Sequence, residues 1–141
     1  MSTDRERDDP VETLLASVRT AGILYGVLAV GYGLQTVVFG DALWGSSAYG
    51  LAQKVPVAPQ SWGVVFALFG IGILVGVRTR RPEVTAASCW LAGVWCYVFA
   101  IFFLADSFRR GEVFGITGFW LYTIVGTLVI NRGACARKAR V

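Results

Sequence analysis

Four long apolar runs dominate the chain, each closed by charged residues or by glycine and proline. They are Ala21 to Gly40 (AGILYGVLAVGYGLQTVVFG), Trp62 to Val77, Val84 to Ala105 and Val113 to Ile130. Between Ala21 and Val77 only Asp41 and Lys54 are acids or bases other than tyrosine. A helix needs about 20 predominantly apolar residues to cross a bilayer. Unpaired amides in hydrocarbon cost several kcal/mol, so such runs must be helical. The second run is short, roughly 24 Å at 1.5 Å per residue. Pro56 and Pro59 limit how far regular helix can extend it backwards.

The pattern therefore predicts an all-α fold, an integral membrane four-helix bundle. Its transmembrane domain covers residues 21–130, with spans at about 21–40, 60–77, 84–105 and 113–130. Residues 1–20 form an N-terminal segment, the first ten of them disordered, with Asp9 and Pro10 suited to start a helix. Residues 131–141 form a basic tail. The first run reads as a retained span, because acids dilute its basic flank and no small-residue cleavage site follows before Trp44.

Composition agrees with this class. Hydrophobic residues make up 55 % of the 141 residues and charged residues 16 %, against roughly 25 % charged in soluble domains. The arginines sit in short connectors and at the ends, not on one face of a polar domain, which argues against nucleic-acid binding.

Charge then sets direction. Cytoplasmic loops carry the excess of Lys and Arg. With the N-terminus inside, the inner segments hold Arg5, Arg7, Arg19, Arg78, Arg80, Arg81, Arg132, Arg137, Lys138 and Arg140; the outer ones hold Lys54, Arg109 and Arg110. Both termini are expected in the cytoplasm, in the inner membrane. Arg78, Arg80, Arg81, Arg132, Arg137, Lys138 and Arg140 are the residues expected to hold topology and meet anionic lipid headgroups. Pro82 is expected to help end one helix and start the next.

Small residues recur at helical spacing, which in lipid marks close helix packing. Gly22, Gly26, Ala29 and Gly33 form one seam, Gly63, Ala67 and Gly70 a second, Cys89, Gly93, Cys96 and Ala100 a third. Cys89 and Cys96 are read as small buried packers. "GILYG" at Gly22 to Gly26 and "GILVG" at Gly72 to Gly76 are GxxxG patterns that permit an oligomer. Gln35 is expected to bond across to another helix. Trp44, Tyr49 and Trp62 read as an interfacial belt, with the Ala42–Val55 segment lying on the outer surface. Trp90, Trp95, Trp120 and Tyr122 read as deeper packing residues. Asp41, Asp106 and Glu112, near Arg109 and Arg110, read as solvated loop charge.

The chemistry is sparse. No span holds Asp, Glu, Lys, Arg or His away from its ends, which argues against a proton-coupled pathway. There is no histidine, no phosphate loop, no GxSxG and no metal-ligand spacing. No catalytic residue, cofactor or metal is expected. In outline the chain resembles small four-span membrane proteins of actinobacteria, other high-GC bacteria and their phages, some holin-like and some DoxX-like. The likeness covers the whole chain in architecture and carries no diagnostic motif, so it implies no site residues. The expected function is a non-enzymatic membrane bundle, working by packing, oligomerisation or binding a membrane partner. The alternatives are a holin-like or small-channel permeability protein, using Gln35, Thr117, Thr123 and Thr127, and a DoxX-like redox accessory subunit.

Overall fold

The computed structural model describes residues 5–45, 49–111 and 113–138. It contains helices α1 (Arg5–Leu43), α2 (Gln60–Arg78), α3 (Pro82–Arg110) and α4 (Phe114–Lys138), plus a 3₁₀ turn at Ala52–Lys54. The described residues contain no strand, so the fold is all-α. Three helical segments, Ala16–Leu43, Gln60–Arg78 and Pro82–Arg110, are long and apolar enough to cross a membrane. The chain has the make-up of a membrane protein.

Sequential helices pack antiparallel. α1 lies on α2, α2 on α3 and α3 on α4, while α1 and α4 meet only sparsely. Two close-packed hairpins, α1–α2 and α3–α4, are thus joined through α2 and α3. The outward faces are apolar, with Leu24, Leu28, Leu68, Val94, Ile101 and Leu121 among the exposed side chains.

The turn between α2 and α3 is compact. Arg81 N–H donates to the Gly76 carbonyl at 2.9 Å and Arg80 N–H to that of Val77 at 3.4 Å. This is a Schellman closure, whose left-handed position usually holds glycine. Here Arg80 occupies it, with φ 54°. Pro82 begins α3, where its missing N–H has no intrahelical acceptor to lose. At the far end of α3, Gly111 takes the left-handed cap at φ 67°.

Three boundaries differ from the sequence expectation. α1 begins at Arg5, ahead of Asp9 and Pro10, and residues 5–10 are helical where disorder was expected. Pro10 stands only one turn in, so it costs the helix a single internal bond. α4 continues through residues 131–138 of the expected tail. That stretch contains Ala, Arg and Lys, which favour helix, and Gly133 packs it on Trp90 and Ala86. α1 breaks at Phe39, with φ −119° and ψ 17°, before its last turn. The break brings Gly40 against Pro59.

The largest difference is the connector between α1 and α2. It does not lie flat as an interfacial segment. Trp44 is 1 % exposed and stacks on Tyr49 at 4.8 Å between ring centroids. The Trp62 indole N–H donates to the Ala52 carbonyl at 3.0 Å, and Gln53 Nε2 donates to the Trp44 carbonyl. The aromatic residues assigned to a headgroup belt instead cap the bundle from within. Four antiparallel helices leave a wedge at that end, and stacked rings fill it with little rotamer entropy to lose.

Candidate functional site

The α1–α2 seam rests on backbone contact. A Cβ on Gly33 would stand 2.5 Å from the Gly63 carbonyl oxygen and 2.6 Å from Ala67 N. One on Gly70 would stand 2.7 Å from Val30 N and 2.8 Å from the Gly26 oxygen. Gly26 lies against Leu74, and Gly22 against Val77 and Arg132. Ala29 faces a crevice between α1 and α4. Gln35 is exposed and has no bond to another helix among the described residues, contrary to expectation. It stands two positions from Gly33, about 200° round the helix, so it faces away from the seam.

On α3, Cys89, Gly93, Cys96 and Ala100 are all buried. Gly93 and Gly126 meet face to face, each Cβ position about 3 Å from the other's carbonyl oxygen. The fourth run also carries Gly115, Gly118 and Gly126, and in the structure these join Gly133 in a matching stripe on α4. Gly115 lies against Ser107, Gly118 against Phe103, Gly126 against Gly93, and Gly133 against Trp90. The 8- and 7-residue spacing of Gly118, Gly126 and Gly133 is complete only with Gly133, which falls in the expected tail. Both GxxxG patterns are occupied inside the chain, with Gly72 on Ser88 and Gly76 on Thr85. Cys89 and Cys96 are two helical turns apart, roughly 10 Å, beyond disulfide reach.

The interior at the Trp44 end is an aromatic cluster centred on Phe99, which is fully buried. Its ring meets Trp62 at 4.7 Å, Tyr122 at 4.8 Å, Trp44 at 5.4 Å and Phe103 at 5.5 Å. Towards the middle, the sparse contact of α1 with α4 leaves an apolar crevice of about 260 Å³, lined by Tyr25, Tyr32, Cys96, Tyr122 and Val125 among others. The Tyr32 and Tyr122 hydroxyls hydrogen-bond at 2.9 Å across it. The crevice suits an aliphatic or flat apolar group. Among the described residues no set of His, Cys, Asp or Glu could hold a metal ion.

Some polar groups along the helices bond within the bundle, while Ser61 Oγ, Trp95 Nε1, Ser107 Oγ and Thr123 Oγ1 are buried with no hydrogen-bond partner among the described residues. Thr36 Oγ1 donates to the Tyr32 carbonyl at 2.9 Å. Thr127 Oγ1 donates to the Thr123 carbonyl at 2.8 Å and shares a 2.7 Å bond with the Tyr97 hydroxyl. Asp106, expected in solvent, is buried. It pairs with Arg110 one turn on, at 3.2 Å, and the backbone at Gly50 covers the pair. Asp41 is exposed, and Glu112 lies outside the described residues.

The opposite end is basic. Arg19 of α1, Arg78 of α2, Arg80 and Arg81 of the turn, and Arg132, Arg137 and Lys138 of α4 gather there by the antiparallel topology. Arg78, Arg80, Arg81 and Lys138 are exposed. The Arg137 guanidinium lies 5.6 Å from the centre of the Trp90 ring, a cation–π contact at a half-exposed tryptophan. Arg140 lies outside the described residues, as do the side chains of Arg5 and Arg7. Arg132 departs from expectation. It is expected in the basic tail, holding topology and meeting headgroups, yet it is only 8 % exposed. Its continuation of α4 carries it inward, and Gly22 leaves the space that its guanidinium fills. Compared with protein-family models, curated proteins and solved structures, the chain matches none.

Proposed function

We propose that the chain is a four-span protein of the cytoplasmic membrane, with both termini in the cytoplasm. It acts without catalysis, by packing against or binding a partner within the bilayer. The observation that carries this reading is an interior closed by aromatic rings at one end and apolar elsewhere, inside an apolar coat. Phe99 and its ring neighbours plug one end, and the hydroxyls of Thr36 and Thr127 bond locally rather than lining a passage.

A fourth span is supported by α4 itself. Its 25 residues reach about 37 Å at 1.5 Å per residue, and Trp120, Leu121, Ile124 and Leu128 face outward. Orientation is supported by the gathering of arginines at the end that holds the α2–α3 turn. A topology reporter fused at Gln53 is expected to read outside and one at Arg140 inside. An inside signal at Gln53 would refute the arrangement.

The permeability reading, with its holin-like resemblance, needs a polar surface that Gln35, Thr117, Thr123 and Thr127 supply poorly. Induced expression is expected to leave membrane potential unchanged. Depolarisation that rises with expression would replace the packing reading with that one. A redox accessory role draws on one observation, the Cys96 thiol and the Tyr32–Tyr122 pair in a single crevice. It would require that Cys96→Ala abolish an electron-transfer activity while the protein still accumulates in the membrane.

A further inference from the structure

The basic end holds a cleft of about 480 Å³ where α1, the α2–α3 turn and α4 converge. Arg19, Arg80 and Arg132 line it, one from each element, together with Val77 and Thr85. No described carboxylate lines it. Arg132 is the buried member, and its Nε and Nη1 have no hydrogen-bond partner among the described residues. Burying a guanidinium without a counter-charge is costly. The same planar fork is suited to gripping two oxygens of a phosphate.

A second groove of about 430 Å³ runs beside the cleft along the outside of α1 and α2. Ile23, Leu74 and Val75 make it apolar, and Arg78 also lines it. Arg19 and Val77 line both hollows, so the anion cleft opens directly onto an aliphatic track. A free phosphate would use only the first. A phosphate tethered to an acyl chain would use both. Arg80 belongs to the same design. It holds the left-handed turn position at φ 54°, which glycine would occupy with less strain.

We propose that this cleft binds the phosphate of one anionic phospholipid, gripped by Arg132 with Arg19 and Arg80, while an acyl chain lies along Ile23, Leu74 and Val75. The proposal rests on the reading that the helices cross a bilayer with this end at a headgroup layer.

The test uses the full chain, purified in mild detergent and stripped of lipid. Phosphatidylglycerol, phosphatidylcholine and inorganic phosphate are titrated separately, with native mass spectrometry and thermal unfolding as readouts. One phosphatidylglycerol per chain is expected, with a raised Tm; phosphatidylcholine, whose choline cation would face the arginines, and inorganic phosphate, which fills only the cleft, are expected to bind more weakly and to raise Tm less. Arg132→Gln is expected to abolish binding. Should that variant fail to fold, Arg19→Gln and Arg80→Gly carry the test. Each is expected to weaken binding about tenfold, the size of one charged hydrogen bond. Arg80→Gly should also leave the lipid-free Tm unchanged or raised. Arg109→Gln, which removes the same charge at the opposite end, should bind as the parent does.

Equal stabilisation by inorganic phosphate would assign the cleft to a soluble anion and overturn the lipid. So would equal weakening by Arg109→Gln and Arg80→Gly, which would reduce the effect to net charge. Membranes washed in alkaline carbonate separate membrane insertion from lipid binding in the cleft. Release of the chain would overturn the membrane reading and this proposal together. Retention without phosphatidylglycerol dependence would overturn this proposal alone.

Discussion

Gly33→Leu is expected to force α1 away from α2 and to lower the unfolding free energy by about 3 kcal/mol, the upper part of the usual overpacking range. The reason lies in what the new Cβ would meet. The Gly63 carbonyl oxygen and Ala67 N belong to the backbone of α2, and neither can turn aside as a side-chain terminus can. Relief requires the two helix axes to separate, which sacrifices the contacts of Gly26 and Gly70 along the same seam. Gly31→Leu supplies the comparison. No atom stands within 4 Å of its Cβ position, and it faces outward on the same helix. It is expected to be neutral. Thermal unfolding of both variants in detergent tests the pair, and equal losses would contradict the seam. Gly26→Leu should fall between them, because its closest obstacle is the Leu74 side chain, which can change rotamer.

Phe99→Ala is expected to cost about 3 kcal/mol, at the low end for deleting a buried phenyl ring. Lipid reduces the part of the cost that comes from water, since apolar groups are at home in both settings. The cavity and the lost ring contacts remain. Phe99 touches rings from α2, α3, α4 and the connector, so its removal loosens the wedge that keeps Trp44 and Tyr49 inside. Faster tryptic cleavage at exposed Lys54 is the expected sign, since that residue ends the 3₁₀ turn packed over the cluster. Phe108→Ala, at a side chain 80 % exposed, should leave both cleavage and stability unchanged. Matching behaviour of the two variants would show that the cluster does not hold the connector.

Helix number and approximate position were readable because the bilayer leaves the backbone no other choice. The Ala21, Trp62 and Val84 runs each carry that constraint in composition alone. The turn at Arg78 to Pro82 was readable for the same kind of reason, since proline and charge both end an apolar helix locally. Seam glycines on α1 and α2 were readable from their spacing. The α4 stripe was readable only in part, because Gly133 stands beyond the apolar run, and where that helix ends depends on its contact with Trp90.

Other positions turned on geometry that no local pattern carries. Tryptophan between apolar runs reads as an interfacial anchor from composition, yet Trp44 is pulled inward because four helix ends leave a gap there. Asp106 reads as loop charge, yet α3 runs on to Arg110 and so supplies its partner one turn later. Gln35 reads as an interhelical bond, yet its angle around α1 points it outward.

The sequence by itself determined an all-α chain of apolar helices, the order of its turns and the gathering of arginine near particular helix ends. Each of these follows from the local cost of placing a peptide group or a charge in hydrocarbon. Only the tertiary structure decided that Phe99 would sit at the centre of an aromatic plug, that both GxxxG patterns would be used within the chain, and that Arg132 would be buried beside Arg19 and Arg80. Those outcomes depend on which helix faces meet, and a contact between residues more than a hundred positions apart leaves no periodicity in the sequence.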